Sequence, residues 1–218
     1  MRITPQVVVF DLGKVLLDFD YNIAAGKIAA RGRISPDEVK RLIDQSPLLF
    51  SYETGRMTKE QFFSEVCAVT GFCGNLDEFS RYFGDIFVPI EPMVALHAEL
   101  RRRGVPTFVF SNTNELAVGH VRRSFPFFNE FDGYILSYEH GAMKPEQKIY
   151  GVVERMTGTS GQRILYLDDR FENVEAGTKR GWQVIQHETP EKSRAVFREL
   201  NLLGEKKTLN GETGGNAG

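Results

Sequence analysis

Short apolar runs that stop on a polar side chain, separated by helix-like sequence, constrain this fold more than anything else in the chain. Val7-Val8-Val9-Phe10 stops at Asp11, Thr107-Phe108-Val109-Phe110 at Ser111, and Arg163-Ile164-Leu165-Tyr166-Leu167 at Asp168. Trp182-Gln183-Val184-Ile185 follows Gly181, and a weaker run, Gly133-Tyr134-Ile135-Leu136, precedes Ser137. Continuous β-branched and aromatic runs suit strands covered on both faces of a parallel sheet. Helical stretches lie between them, Glu91 to Arg103 before Gly104, Pro145 to Met156 before Gly158, and Glu172 to Arg180 before Gly181. A glycine just past the last periodic residue is a helix stop. The alternation predicts an α/β protein with a doubly wound, Rossmann-like parallel sheet.

Residues 18–88 break the alternation. Ser35-Pro36-Asp37-Glu38 and Thr58-Lys59-Glu60-Gln61 both fit the capping box, in which a hydroxyl takes one free amide and the acid or amide three residues on reaches back to another. Two such starts without a strand signal between them predict a small all-helical cap inserted after the first strand. The core is then 1–17 plus 89–203. Residues 204–218, with five glycines and almost no apolar content, read as a disordered tail.

Composition narrows the function classes. The 218 residues are 41% hydrophobic and 26% charged, with 27 Lys+Arg against 29 Asp+Glu, as in an ordinary globular protein. A net charge of −2 gives no basic surface for nucleic acid, so the expected partner is small. Cys67 and Cys73 are too few for a disulfide framework and lack the companions of a zinc site, so they read as reduced, partly buried thiols. Asp11, Lys14 and Asp18 interrupt the N-terminal apolar stretch, and no small-residue cleavage site follows. The expectation is therefore no membrane span and a cytoplasmic location.

In an open α/β sheet the ligand lies outside the carboxyl ends of the strands. The residues there are Asp11, Ser111-Asn112-Thr113, Asp168-Asp169, and Lys144 in the loop Gly141-Ala142-Met143-Lys144-Pro145. Singly, each has a plain reading as turn residue, helix cap or solvated lysine. Together they are less easily dismissed, because adjacent acids at a strand end repel unless a cation or base holds them. Ser111 to Lys144 spans 33 residues and Lys144 to Asp168 spans 24, each about one βα unit, whereas Asp11 to Ser111 spans 100. The surplus of about seventy residues is the helical insert, placed to hang over the carboxyl edge.

The ordered series Val8-Val9-Phe10-Asp11-Leu12-Gly13, Phe110-Ser111-Asn112-Thr113, Lys144-Pro145 and Leu167-Asp168-Asp169-Arg170-Phe171-Glu172-Asn173 resembles the four motifs of the haloacid dehalogenase (HAD) superfamily. The insert sits where that superfamily carries its helical cap, and the resemblance spans roughly residues 7 to 200. Within the superfamily the chain is similar to bacterial sugar-phosphate phosphatases of the α-D-glucose-1-phosphate phosphatase type. The resemblance implies a phosphatase in which Asp11 is the nucleophile and forms an aspartyl-phosphate that water hydrolyses. It implies Mg²⁺ held by Asp11, the Gly13 carbonyl and Asp169, with Asp168 beside it and Asn173 and Thr113 supporting. Ser111 and the Asn112 amide would bind the phosphoryl oxygens, and Lys144 would neutralise transition-state charge.

Gly13 departs from the pattern, because most phosphatases of the superfamily have a second Asp there as general acid-base. Its absence suits a good leaving group such as an anomeric oxygen, and hence a sugar 1-phosphate, or alternatively a non-catalytic phospho-ligand sensor. Asp18, Asp20, Lys14 or a cap residue are the candidate substitutes. The first two also read as cap-entry residues and the third as a flanking charge. The stretch Phe50-Ser51-Tyr52-Glu53-Thr54-Gly55 is read as a connection between capped helices, with Tyr52 and Glu53 as cap contacts to substrate; a plain polar linker is the alternative. A 2-haloacid dehalogenase also fits an Asp nucleophile, but unpaired acids at 168 and 169 would repel its carboxylate substrate. A signalling receiver domain is excluded by chain order, since receivers carry the acid pair on the first strand. His97, His120, His140 and His187 follow no metal-ligand spacing, and Trp182 reads as core on a strand.

Overall fold

The computed structural model describes residues 3–204, so nearly all of the segment expected to be a disordered tail lies outside the described residues. The chain begins with β1 (Val7–Phe10), whose four residues are all buried. A turn leads to β2 (Leu17–Phe19) and then to five helices, α1 (Tyr21–Ala29), α2 (Pro36–Ile43), α3 (Pro47–Glu53), α4 (Lys59–Thr70) and α5 (Leu76–Gly84). β3 (Phe87–Pro89) returns antiparallel to β2, pairing Leu17 with Pro89 and Phe19 with Phe87. The insert is therefore not helical throughout. It hangs from a two-stranded ribbon whose three-residue strands are too short to show a period-two pattern.

The remainder alternates: α6 (Glu91–Arg102), β4 (Thr107–Ser111), α7 (Glu115–Ser124), β5 (Gly133–Leu136), α8 (Ser137–His140), α9 (Gln147–Thr157), β6 (Ile164–Asp168), α10 (Phe171–Lys179), β7 (Gln183–Gln186) and α11 (Pro190–Glu199). The sheet order is β5-β4-β1-β6-β7, and every pairing is parallel. Parallel strands need crossovers, and the helices they supply cover both faces. Val8 and Phe10 accordingly point into one apolar cluster with Leu96, Val109 and Phe197, while Val7 and Val9 point into the other with Phe110, Tyr150 and Trp182. Trp182 is core, one residue ahead of β7.

The two capping boxes form as read. Ser35 and Glu38 open α2 and Thr58 and Gln61 open α4, which ends on Gly71 in the left-handed conformation. The insert has its own core of Ile28, Val39, Ile43, Phe62, Phe79 and Phe83, joined by Leu116 from α7. Residues 50–53 belong to α3 rather than to a linker. Ser46 caps that helix through the Leu49 amide and Pro47 opens it, a start signal that its seven-residue length makes easy to miss. Cys67 is half-buried and Cys73 exposed, and both are free. Among the described residues no helix is long and apolar enough to cross a membrane.

Candidate active site

β1 is the middle strand, so Asp11 emerges at the centre of the carboxyl edge, flanked by Ser111 at the end of β4 and Asp168 at the end of β6. The Asp11 carboxylate accepts the Leu12 amide at 2.7 Å. Lys144 comes in from the loop after α8, its Nζ 2.9 Å from Asp11 and 2.6 Å from Asp168, and it also donates to the Phe110 carbonyl at 3.0 Å. Asn112 fixes that loop: its Nδ2 donates to the Lys144 carbonyl at 3.0 Å, and its Oδ1 accepts the Lys144 amide at 2.8 Å. The Asn112 side chain thus positions the lysine, a role the sequence alone does not signal.

Asp168 is fully buried and fully partnered. Besides Lys144 it accepts from the Tyr166 hydroxyl, from Asn173 Nδ2 at 3.0 and 3.1 Å, and from the Arg170 amide at 2.9 Å. Tyr150 holds the Asn173 carbonyl at 2.8 Å, so Asn173 is itself anchored. Tyr166 was legible in one respect: two residues before Asp168 on a strand, it must share that residue's face. Thr113 is tied down through Ser137, whose hydroxyl accepts the Thr113 amide at 2.9 Å and donates to its carbonyl at 3.0 Å.

The electrostatics follow from burial. Burial pushes the Asp11 carboxyl up to about 8, with Asp168 and Asp169 adding to the rise and Lys144 opposing it. Asp169 is also raised, by burial and then by Asp168. For Asp168 the burial penalty is outweighed by Lys144, Tyr166 and the Arg170 amide, and the carboxyl lies below its usual range. Three carboxylates with one ammonium leave a deficit of two positive charges when all are ionised. One oxygen from each of Asp11, Asp168 and Asp169 lies within 4.8 Å of the others. A compact set of oxygen donors with that deficit fits a hard divalent cation.

Asp11, Ser111, Asn112, Lys144 and Asp169 form the floor of a chamber of about 730 Å³, with Asp168 buried behind them, and the insert roofs it with Tyr21, Lys40, Asp44, Leu49, Phe50 and Glu53. Gly13 and Lys14 lie on its rim. Lys14 pairs with Asp18, and Asp20 caps α1 through the Asn22 amide, so all three candidate substitutes near the first strand have structural employment. Tyr52 does not face the chamber. It is buried, stacks on Phe62 with ring centroids 4.6 Å apart, and its hydroxyl accepts the Leu116 amide at 3.1 Å. One step along a helix turns a side chain by about 100°. Glu53 therefore faces the chamber while its neighbour fills the core. His97 is core as well, stacked on Phe131 at 3.8 Å.

Comparison with known proteins agrees with this geometry. The family model for haloacid dehalogenase-like hydrolases matches residues 5–181. A D-ribitol-5-phosphate phosphatase of Bacteroides thetaiotaomicron is 21% identical over 202 residues, covering 90% of this chain and 97% of that protein. A sesquiterpene phosphatase of Aspergillus oryzae is 26% identical over 206 residues, covering 93% and 98%. Among solved structures, a HAD family enzyme of B. thetaiotaomicron in complex with magnesium and inorganic phosphate superposes with a TM-score of 0.78 at 20% identity, covering 89% of this chain and all of that one. The L-2-haloacid dehalogenase of Xanthobacter autotrophicus gives 0.60 at 17% identity, covering 83% and 76%.

Proposed function

The chain belongs to the haloacid dehalogenase-like hydrolases, and from that premise we propose that it is a Mg²⁺-dependent phosphatase acting on a small phosphorylated polyol or sugar. The observation that carries the reading is the acid trio. A dehalogenase would have to bring a carboxylate substrate against Asp11 and Asp169, beside the buried Asp168, with Lys144 already shared between Asp11 and Asp168, whereas a cation-dependent phosphatase needs such a cluster. The phosphatase relatives support the same choice.

Asp11 is the nucleophile, at the end of the strand most enclosed by its neighbours, so it has little freedom to reorient. Asp11, Asp169 and the Gly13 carbonyl hold the cation, with Asp168 next to them. When bound, Mg²⁺ supplies the positive charge that lets a carboxylate and a phosphate dianion approach. Asp168 also anchors Lys144, and Asn173 anchors Asp168. Ser111 and the Asn112 amide receive phosphoryl oxygens, and Lys144, held between two acids, meets the charge that builds up in the transition state. Residues 18–88 act as the cap that closes the site.

Polar groups on the roof favour a hydroxylated leaving group over a terpenoid one, since an apolar chain would take water from the Lys40–Asp44 pair and from Glu53 and offer them no hydrogen bonds in return. The α-D-glucose-1-phosphate type is the narrower form of this reading, and D-ribitol 5-phosphate is the substrate class that the B. thetaiotaomicron relative suggests. The test is a panel of phosphorylated polyols, sugars and terpenoid alcohols with Mg²⁺. Turnover of polyol or sugar phosphates that is abolished by EDTA and by Asp11→Asn is expected. Turnover surviving in Asp11→Asn, or a preference for the terpenoid esters, would sink the reading.

A further inference from the structure

We propose that Glu53, from the insert, is the catalytic residue that gives a proton to the leaving-group oxygen, in place of the acid that position 13 lacks. The inference rests on the phosphatase reading above and deepens it. Its first support is that position 13 cannot carry the acid in this chain. A Cβ added to Gly13 would stand 2.8 Å from Cε1 of Phe19, and that ring is wedged between Tyr21 and Phe87 at centroid distances of 5.7 and 5.9 Å. The space a side chain at 13 would occupy is filled, so a proton must come from elsewhere on the chamber wall.

Glu53 is the acid held there most firmly. Tyr52 on one side is pinned to α7 through the Leu116 amide, and Gly55 on the other approaches the Tyr138 carbonyl so closely that a Cβ there would come within 2.2 Å of the oxygen. Between these two anchors Glu53 faces into the chamber that also contains Asp11. Among the described residues no lysine, arginine or histidine pairs with it, whereas Asp44 on the same roof is paired with Lys40 and Asp20, the other insert acid lining the chamber, is engaged in capping α1 through the Asn22 amide. It is also the last residue of α3, where the partial negative charge of the helix end disfavours an anion. Burial pushes its carboxyl up to about 7, with Asp44 adding and the Asn114 side chain opposing. A carboxyl in that range can both release and recover a proton near neutrality.

The proton balance closes over the two half-reactions. As Asp11 Oδ bonds to phosphorus, the ester P–O bond breaks; the departing oxygen keeps the electron pair and takes the Glu53 proton. Water then attacks the aspartyl-phosphate, the P–Oδ bond breaks to restore Asp11, and the proton lost by that water returns to Glu53.

The test compares kcat/KM for the Mg²⁺-loaded wild type, Glu53→Gln and Asp11→Asn on p-nitrophenyl, phenyl, ethyl and glycerol phosphates. This constant covers only the steps through phosphoryl transfer, and the near-isosteric Gln can hydrogen-bond but cannot donate an acidic proton. We expect Glu53→Gln to lose about 10²-fold on ethyl phosphate, with the loss shrinking through phenyl phosphate to below about tenfold on p-nitrophenyl phosphate, whose leaving group needs little protonation. A loss that is equal across the series, absent on ethyl phosphate, or confined to the hydroxyl-bearing glycerol ester would overturn the proposal. So would a wild type that hydrolyses p-nitrophenyl phosphate but no alkyl ester. Failure of the phosphatase reading looks different: no Mg²⁺-dependent turnover of any ester, or turnover retained in Asp11→Asn.

Discussion

Gly13 and Phe19 occupy one volume between them, which makes the loss of a side chain at 13 and the presence of an aromatic ring at 19 a coupled pair. Gly13→Asp is therefore expected to destabilise the protein by about 1–3 kcal/mol through overpacking. Adding Phe19→Ala should recover part of that loss in thermal unfolding; strict additivity of the two changes would refute the coupling. Lys144 makes a second prediction at this scale. It is the one cation between two buried acids, so Lys144→Met leaves them facing each other and should cost about 3–5 kcal/mol in the metal-free protein. Turnover should fall by about 10²- to 10³-fold in kcat. Melting curves with and without Mg²⁺ check the first part, since added cation should narrow the stability gap.

Elements decide which side chains reach the chamber. α3 shows this best, because Tyr52 turns into the insert's core while Leu49, Phe50 and Glu53 line the cleft. Gly55 ends that helix with φ +66° against the Tyr138 carbonyl. Gly55→Ala adds a left-handed penalty of about 1–2 kcal/mol to the clash. It should raise KM and lower the melting temperature together, whereas normal kcat/KM in a folded Gly55→Ala protein would show that the contact does not position the roof. The strand ends and the two capping boxes were legible because each rests on chemistry local in sequence, whereas Lys144 stood out only in combination with the strand-end acids and by its spacing from them. The β2–β3 ribbon was not, since its partners are about seventy residues apart and each strand is too short for a pattern. Nor was the inward turn of Tyr52, which depends on a partner amide in α7, sixty-four residues on.

At the scale of the whole molecule, the fold carries an acid-sensitive residue far from the chemistry, packed on one face of the sheet. His97 is buried against Phe131, its Nε2 is 3.1 Å from the Thr107 hydroxyl, and its Nδ1 has no partner among the described residues. Burial pushes its imidazole down from 6.5 to about 4. The unfolded chain therefore binds the proton more readily than the native one, so stability is intact above the unfolded value and is lost as pH falls toward the folded one. His97→Phe should flatten the fall in melting temperature between pH 6.5 and 4; an unchanged slope would assign the acid sensitivity elsewhere.

The ribbon and α7 together have a further consequence, for anyone who would change what such an enzyme acts upon. Two neighbouring strands, Leu17–Phe19 and Phe87–Pro89, look like natural cut points for exchanging everything between them with the corresponding piece of a relative. Yet Leu116 belongs to the insert's apolar interior, and its amide is capped by Tyr52. A transplant cut only at the ribbon would leave a hole on one side and an orphaned donor on the other. The transferable unit is the insert together with the first turn of α7, so swapping specificity in this chain takes two grafts, made at once.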